Sequence, residues 1–167
     1  MNIFFLDKTS MLSAQYLCDK HVPKMLLETT QMLSTAYQKN VGECEDLYKI
    51  AYPHHPMTKW VGESVENFRW TLDLADWIGE EFTLRYSLGY PKIHKSSHIT
   101  NRFIKHIDWL DKFPDKEFTD PPQCMPDRFR DKDYVTAYRE FYVHEKKYFA
   151  EWKKGRKKPE WFYKVGN

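Results

Sequence analysis

Residues 57–86 read MTKWVGESVENFRWTLDLADWIGEEFTLRY, a stretch in which apolar side chains return at helical rather than strand spacing. Val61, Val65, Phe68, Leu72, Ala75, Ile78 and Phe82 share one stripe of a 3.6-residue helix. Trp60, Glu63, Asn67, Trp70, Leu74 and Trp77 share a second. A helix that is apolar on two sides has to be enclosed by others, so the pattern predicts a central helix of a bundle over 57–86. Gly89 and Pro91 end it.

Upstream, Tyr52-Pro53-His54-His55-Pro56 is a rigid, extended connector, because each residue before a proline is pushed away from helical angles. Before it lies LCDKHVPKMLLE, residues 17–28. Pro23 has no N–H and fits only the first turn of a helix, which the spacing runs from about Val22 to about Lys39. Val22, Met25, Leu26, Thr29, Leu33 and Ala36 form its buried stripe, with His21, Lys24, Glu28, Gln31 and Thr35 beside it. Thr9 and Ser10 cap a short helix from Met11 to Leu17, and residues 2–6 lie extended against the core. Downstream, a helix is expected from Ser96 or Ser97 to Leu110, with Phe103, Ile104, Ile107 and Leu110 inward. Residues 111–132, with four prolines, form a long loop. Asp133 caps a last helix to about Lys154, followed by a basic, aromatic tail over 155–167. No β alternation appears beyond the first few residues. The fold class is all-α: a single domain of about five helices.

The 167 residues carry a net charge of only +2, but unevenly. From Lys146 onward eight Lys or Arg face two Glu, a local net of +6, which leaves the remainder slightly acidic. A basic tail on such a body points to an anionic partner. Aromatic residues make up 17%, supplying either a packed helical core or surfaces for stacking bases. Three scattered cysteines form no disulfide framework, and no apolar run is long enough to span a membrane. The reading is a soluble, cytoplasmic protein with no membrane partner.

Three constellations carry possible chemistry. Asp19, Lys20, His21 and Lys24 crowd one helix start, where two cations, an imidazole and a carboxylate suit phosphate binding and proton transfer; the plain alternative is a solvated polar face. Arg156, Lys157, Lys158 and Lys164 interleave with Trp161, Phe162 and Tyr163, pairing phosphate neutralisation with base stacking; the alternative is aromatics docked on the core. Lys92, Lys95, Arg102 and Lys105 gather near one helix with Ser96, Ser97 and Asn101. His94 and His98 share a helical face, and Cys18 with His21 adds donors, yet no HExxH pattern follows; surface or core histidines explain them, and no metal or other cofactor is called for.

Taken in order, Met1-Asn2-Ile3-Phe4-Phe5-Leu6, then Leu12, Ala14, Gln15 and Leu17 leading into Lys20-His21-Val22-Pro23-Lys24, Pro56 with Trp60, Phe68, Ile78, Glu81 and Arg85, and the ending Pro159-Glu160-Trp161-Phe162-Tyr163-Lys164, the chain resembles the phage pyrimidine-dimer DNA glycosylases. The resemblance implies a small all-α enzyme that cuts the glycosidic bond of a damaged or modified pyrimidine, with DNA as partner and, for a phage-encoded protein, the host cytoplasm as location. It implies an α-amine nucleophile that forms an imine with the sugar, here that of Met1, since Asn2 is too large for efficient removal of Met1; the Lys20 amine is the fallback. Lys20 and Lys24 stand at the family's phosphate-holding arginines, as point charges rather than forks. His21 stands at the catalytic glutamate. An imidazole can move a proton but cannot stabilise a cationic sugar, so Glu28, Glu63 or Asp19 has to supply the carboxylate. Trp60, Glu63, Asn67 and Asp19 are the expected site wall, and Lys95 and Arg102 further strand contacts. The first and last twenty residues are expected to meet around a positively lined hollow at His21. A nucleic-acid-binding or assembly protein without catalysis is the alternative class.

Overall fold

The structure, a computed structural model, describes residues 1–105 and 109–164. Among these the chain is all helical: α1 (Ser10–Tyr16), α2 (His21–Asn40), α3 (Pro56–Gly62), α4 (Val65–Tyr86), α5 (Lys95–Lys105), α6 (Tyr134–Lys146) and α7 (Trp161–Lys164), with two 3₁₀ turns. α4 packs against α1, α2, α3 and α5, as expected of the helix with two apolar faces.

The expected single helix over 57–86 is two. It breaks at Glu63-Ser64, where Ser64 turns extended and its hydroxyl accepts the Asn67 N–H, capping α4. Pro114 O accepts the Val65 N–H, so the long loop helps hold the break. α2 runs one residue past the expected span at each end. Residues 106–108, Ile107 among them, lie outside the described residues; Ile104 is exposed rather than inward, and Leu110, half-buried, opens a 3₁₀ turn. The expected last helix, α6, stops at Lys146, well short of Lys154, because residues 151–153 leave the axis to bond elsewhere.

The extended N-terminal run is the axis of the core. Alternation along it sends Phe4 towards His21, Tyr138, Phe141 and Tyr142, and Phe5 towards Trp60, Trp70, Tyr134 and Tyr138. Its polar backbone groups, which no sheet serves, are met by side chains instead. Glu28 takes the Asn2 N–H, Ser13 Oγ the Asp7 N–H, and Arg139 Nε donates to Leu6 O.

The 111–132 loop is strapped down at several points. Asn67 Oδ1 accepts the Thr119 N–H, while Asn67 Nδ2 and Trp60 Nε1 both donate to the Thr119 hydroxyl. Farther along, Tyr138 donates to Pro122 O, and Gln123 and Asp131 exchange two bonds.

Candidate functional site

α2 presents Lys24 and Glu28 one turn apart on the side that meets the chain's first residues. Glu28 Oε2 accepts the Asn2 N–H at 2.9 Å and lies 3.8 Å from the Met1 amine; Lys24 Nζ is 3.9 Å from Oε1. The Asn2 side chain fixes this approach, donating to Cys124 O and accepting from both the Ile3 N–H and the Tyr138 hydroxyl. Met1 Sδ receives a weak bond from the Thr58 hydroxyl. The Glu28 side chain keeps 18% of its surface open and the Met1 side chain 3%, so the carboxylate is partly accessible while the methionine side chain is packed away.

His55 belongs to the same cluster. Burial lowers its imidazole from the ordinary value, the Met1 ammonium lowers it further, and Glu28 opposes both. Its Nδ1 accepts the Met57 N–H as the cap of α3, so the neutral ring carries its proton on Nε2. Nothing in the sequence beyond a proline-bounded His-His pair signalled this position.

A cleft of about 510 Å³ opens at α3, lined by His54, Pro56, Lys59, Trp60, Glu63, Thr119, Asp120 and Pro122. Trp60 and Glu63 wall it. Asn67 stands behind that wall, buried, with its amide consumed by Trp60 O and Thr119, so it holds the loop rather than facing a ligand.

His21 departs most from expectation. It is 5% exposed, stacks on Phe4, meets Tyr142 and Phe149 edge-on, and shares a 2.7 Å hydrogen bond with the Tyr142 hydroxyl through Nδ1. Burial first, then the charges of Lys146 and Lys24, push its pKa down to about 3. A sealed, neutral imidazole cannot reach a sugar, so His21 is a core residue and not an acid–base catalyst. One consequence concerns pH. Between its unfolded value near 6.5 and about 3, only the unfolded chain binds this proton, so stability falls as pH drops through that window. One proton of linkage costs about 1.4 kcal/mol per pH unit. Urea midpoints between pH 7 and pH 4 should fall faster in the wild type than in His21→Gln, and equal slopes would remove this role.

Of the three carboxylates the missing glutamate called for, Glu28 alone stands beside an amine. Asp19 is spent on Arg85 at 3.3 Å and on the Lys153 N–H at 2.7 Å. Glu63 is exposed on the cleft wall. Lys20 is exposed, its amine 5.6 Å over the Phe149 ring.

The two chain ends do meet, though not around a hollow at His21. Asp19 donates its N–H to Glu151 O, Trp152 Nε1 donates to Tyr16 O, and Arg156 grips Glu81. Trp161 sits edge-on to Tyr16 and Tyr142 with Arg139 over its ring, and Phe162 is buried against Trp152. Arg156 and Trp161 are therefore structural rather than free strand contacts: a buried carboxylate and an aromatic core claim them. Lys157, Tyr163 and Lys164 remain exposed, and Lys158 lies over the Phe162 and Tyr163 rings. Among the described residues, no hydrogen bond, ion pair or ring contact joins this tail to Met1 or Glu28. Lys95 and Arg102 are exposed on α5, Arg102 paired with Asp46, and neither touches the Met1–Glu28 pair. His94 accepts the Ser96 N–H and packs on Phe82, far in function from His21, and the described residues contain no group of three or more His, Cys, Asp or Glu placed to hold a metal.

Compared with protein-family models, curated proteins and solved structures, the chain matches none.

Proposed function

We propose that the protein is a DNA glycosylase–lyase acting on a damaged or modified pyrimidine, with the Met1 α-amine as nucleophile and Glu28 as its carboxylate partner. The observation that carries this is the Glu28 carboxylate 3.8 Å from the amine, fixed there by the Asn2 N–H and flanked by Lys24 and His55. An amine is a competent nucleophile towards a sugar C1′, and here it is held beside a carboxylate. Its lone pair attacks the sugar C1′, the glycosidic electrons leave with the base, and loss of the amine proton with opening of the sugar ring leaves a C1′ imine. Glu28 receives the proton and offsets the positive charge that builds on the sugar. The cleft of Trp60 and Glu63 offers room for a base, its Pro122 rim linked to the pair through Tyr138 and Asn2.

Borohydride reduces such an imine to a stable amine and so reads the reaction directly. With a duplex bearing an abasic site or a modified pyrimidine, the expected result is a covalent protein–DNA adduct mapping to the first residue. It should vanish when the amine is acetylated or the chain is extended at its start. Absence of any adduct across abasic, dimer-containing and modified-base duplexes would favour the second reading, nucleic-acid binding without catalysis. That reading draws support from Glu28 Oε2 already accepting the Asn2 N–H, which would also serve simply to anchor the chain's start.

A further inference from the structure

We infer that the turn ending α6, with Lys146, Lys147 and Tyr148, forms together with Lys20 and Lys24 a track that holds one nucleotide of a DNA strand: the lysines on its phosphates and the Tyr148 ring against an unstacked base. The inference rests on the nucleic-acid reading above and adds to it residues that neither the tail nor the resemblance supplies.

The turn has a physical cause. After Lys146 the backbone leaves the helix, because Glu151 to Lys153 are drawn to Tyr16 and Asp19. Phe149 is thereby laid edge-on against His21, and Tyr148 is turned outward to 86% exposure, with its ring edge-on to that of Phe149. A tyrosine so exposed contributes little to the core, yet it is held in place by its neighbour, which is what a stacking platform needs.

The charges converge on the same place. Lys20 lies over Phe149, Lys146 lies 5.1 Å over Phe141, and Lys146 and Lys24 both act on the His21 ring between them. Among the described residues, no carboxylate comes within ion-pair distance of Lys20, Lys146 or Lys147, whereas Lys8, Arg69, Arg102, Arg128, Arg130 and Lys153 are each paired. Gathering unpaired like charges beside an exposed ring is unfavourable without an anion to share, and a phosphodiester with an open base matches both features. Continuity fixes the direction: Lys24 reaches from this group to Glu28, so a strand on the lysines runs past the Met1 amine.

The test uses a duplex with a tetrahydrofuran abasic analogue and 2-aminopurine placed on either side of it in turn. Wild-type protein should quench 2-aminopurine at one of the two positions. Tyr148→Phe should keep both affinity and quenching, while Tyr148→Ala should lose the quenching and bind about 5- to 100-fold more weakly. Tyr148 is too exposed for either change to unfold the chain. Lys146→Ala should lower the slope of log affinity against log salt by about 1. Wild-type quenching and affinity in Tyr148→Ala would overturn the track, even with borohydride adducts intact. Equal loss in Tyr148→Phe would overturn the stacking role. A wild type that neither binds the duplex nor traps would overturn the nucleic-acid reading and the track with it.

Discussion

An Arg85→Met variant should lose about 3–5 kcal/mol of stability, the usual cost of removing one member of a buried ion pair. For a domain whose whole margin is about 5–15 kcal/mol, that leaves it close to unfolding. Arg85 is fully enclosed and all its donors are used. Nε and Nη2 bond Glu81 Oε2 at 2.9 and 2.8 Å, Nη1 bonds Leu17 O at 2.7 Å and Asp19 at 3.3 Å, and Nη2 also bonds Gln15 O. One side chain thus ties the end of α1 and the approach to α2 onto α4. Methionine replaces its volume but leaves two carboxylates and two carbonyls without their donor. The lost stability should also respond to acid with a defined sign. Burial by itself would raise the Glu81 carboxyl, but hydrogen bonds from Arg156 and Arg85, and their charges, reverse this and hold it below the usual value. A depressed carboxyl stabilises the fold above its unfolded value and ceases to as pH falls through the folded one. With Arg85 gone, only Arg156 opposes burial, so the acid limb should begin at higher pH than in the wild type. Urea midpoints at pH 7 and pH 5 measure both effects. The companion variant Arg85→Met/Glu81→Met should be more stable than Arg85→Met alone, because the orphaned charge goes too. If the double change is worse than the single by the full cost of another buried pair, the network is not organised around these two residues.

How much of this was legible in the chain differs element by element. The two apolar stripes of 57–86 and the single stripe after Pro23 carry their own periodicity, and the all-α bundle follows from them. The break at Ser64 was also written locally, as a serine three residues before a partner N–H, but the strong tryptophan spacing on both sides masks it. The overrun of the last helix has another origin. Residues 147–154 have nothing against helix in their composition, and what stops them is Asp19, more than a hundred residues away, which bonds Glu151 O and the Lys153 N–H. Long-range bonds of that kind also decide His21, Arg156 and Trp161. A histidine between two lysines reads as reactive until Phe4, Tyr142 and Phe149 enclose it. A basic, aromatic tail reads as a free strand binder until Glu81 and Tyr16 claim two of its residues. Met1 and Glu28 could each be named from the sequence, yet their separation depends on the Asn2 amide and its anchors at Cys124 and Tyr138.

Glu28→Gln should leave the fold and DNA affinity intact and slow adduct formation by about 10²- to 10⁴-fold, the range of a lost acid–base group. The substitution isolates charge from geometry. A glutamine carbonyl still accepts the Asn2 N–H, so the chain's first residues stay where they are. What disappears is the negative charge 3.8 Å from the amine and the site that takes its proton. Removing an anion from a face that carries Lys24 should, if anything, tighten the grip on phosphates. Affinity for an abasic-analogue duplex is therefore expected to hold or rise while the single-turnover rate at saturating protein collapses. That split separates a carboxylate acting on the reacting atoms from one that only anchors the N-terminus. An anchor would show the opposite pattern, with a small effect of glutamine on rate and a larger effect of Glu28→Ala on stability. His21→Gln provides the contrast: its cost should fall on stability, with the rate per folded molecule unchanged, because the imidazole is sealed behind Phe4 and Phe149. Should Glu28→Gln trap at the wild-type rate while the wild type itself traps well, the amine would be acting without this carboxylate.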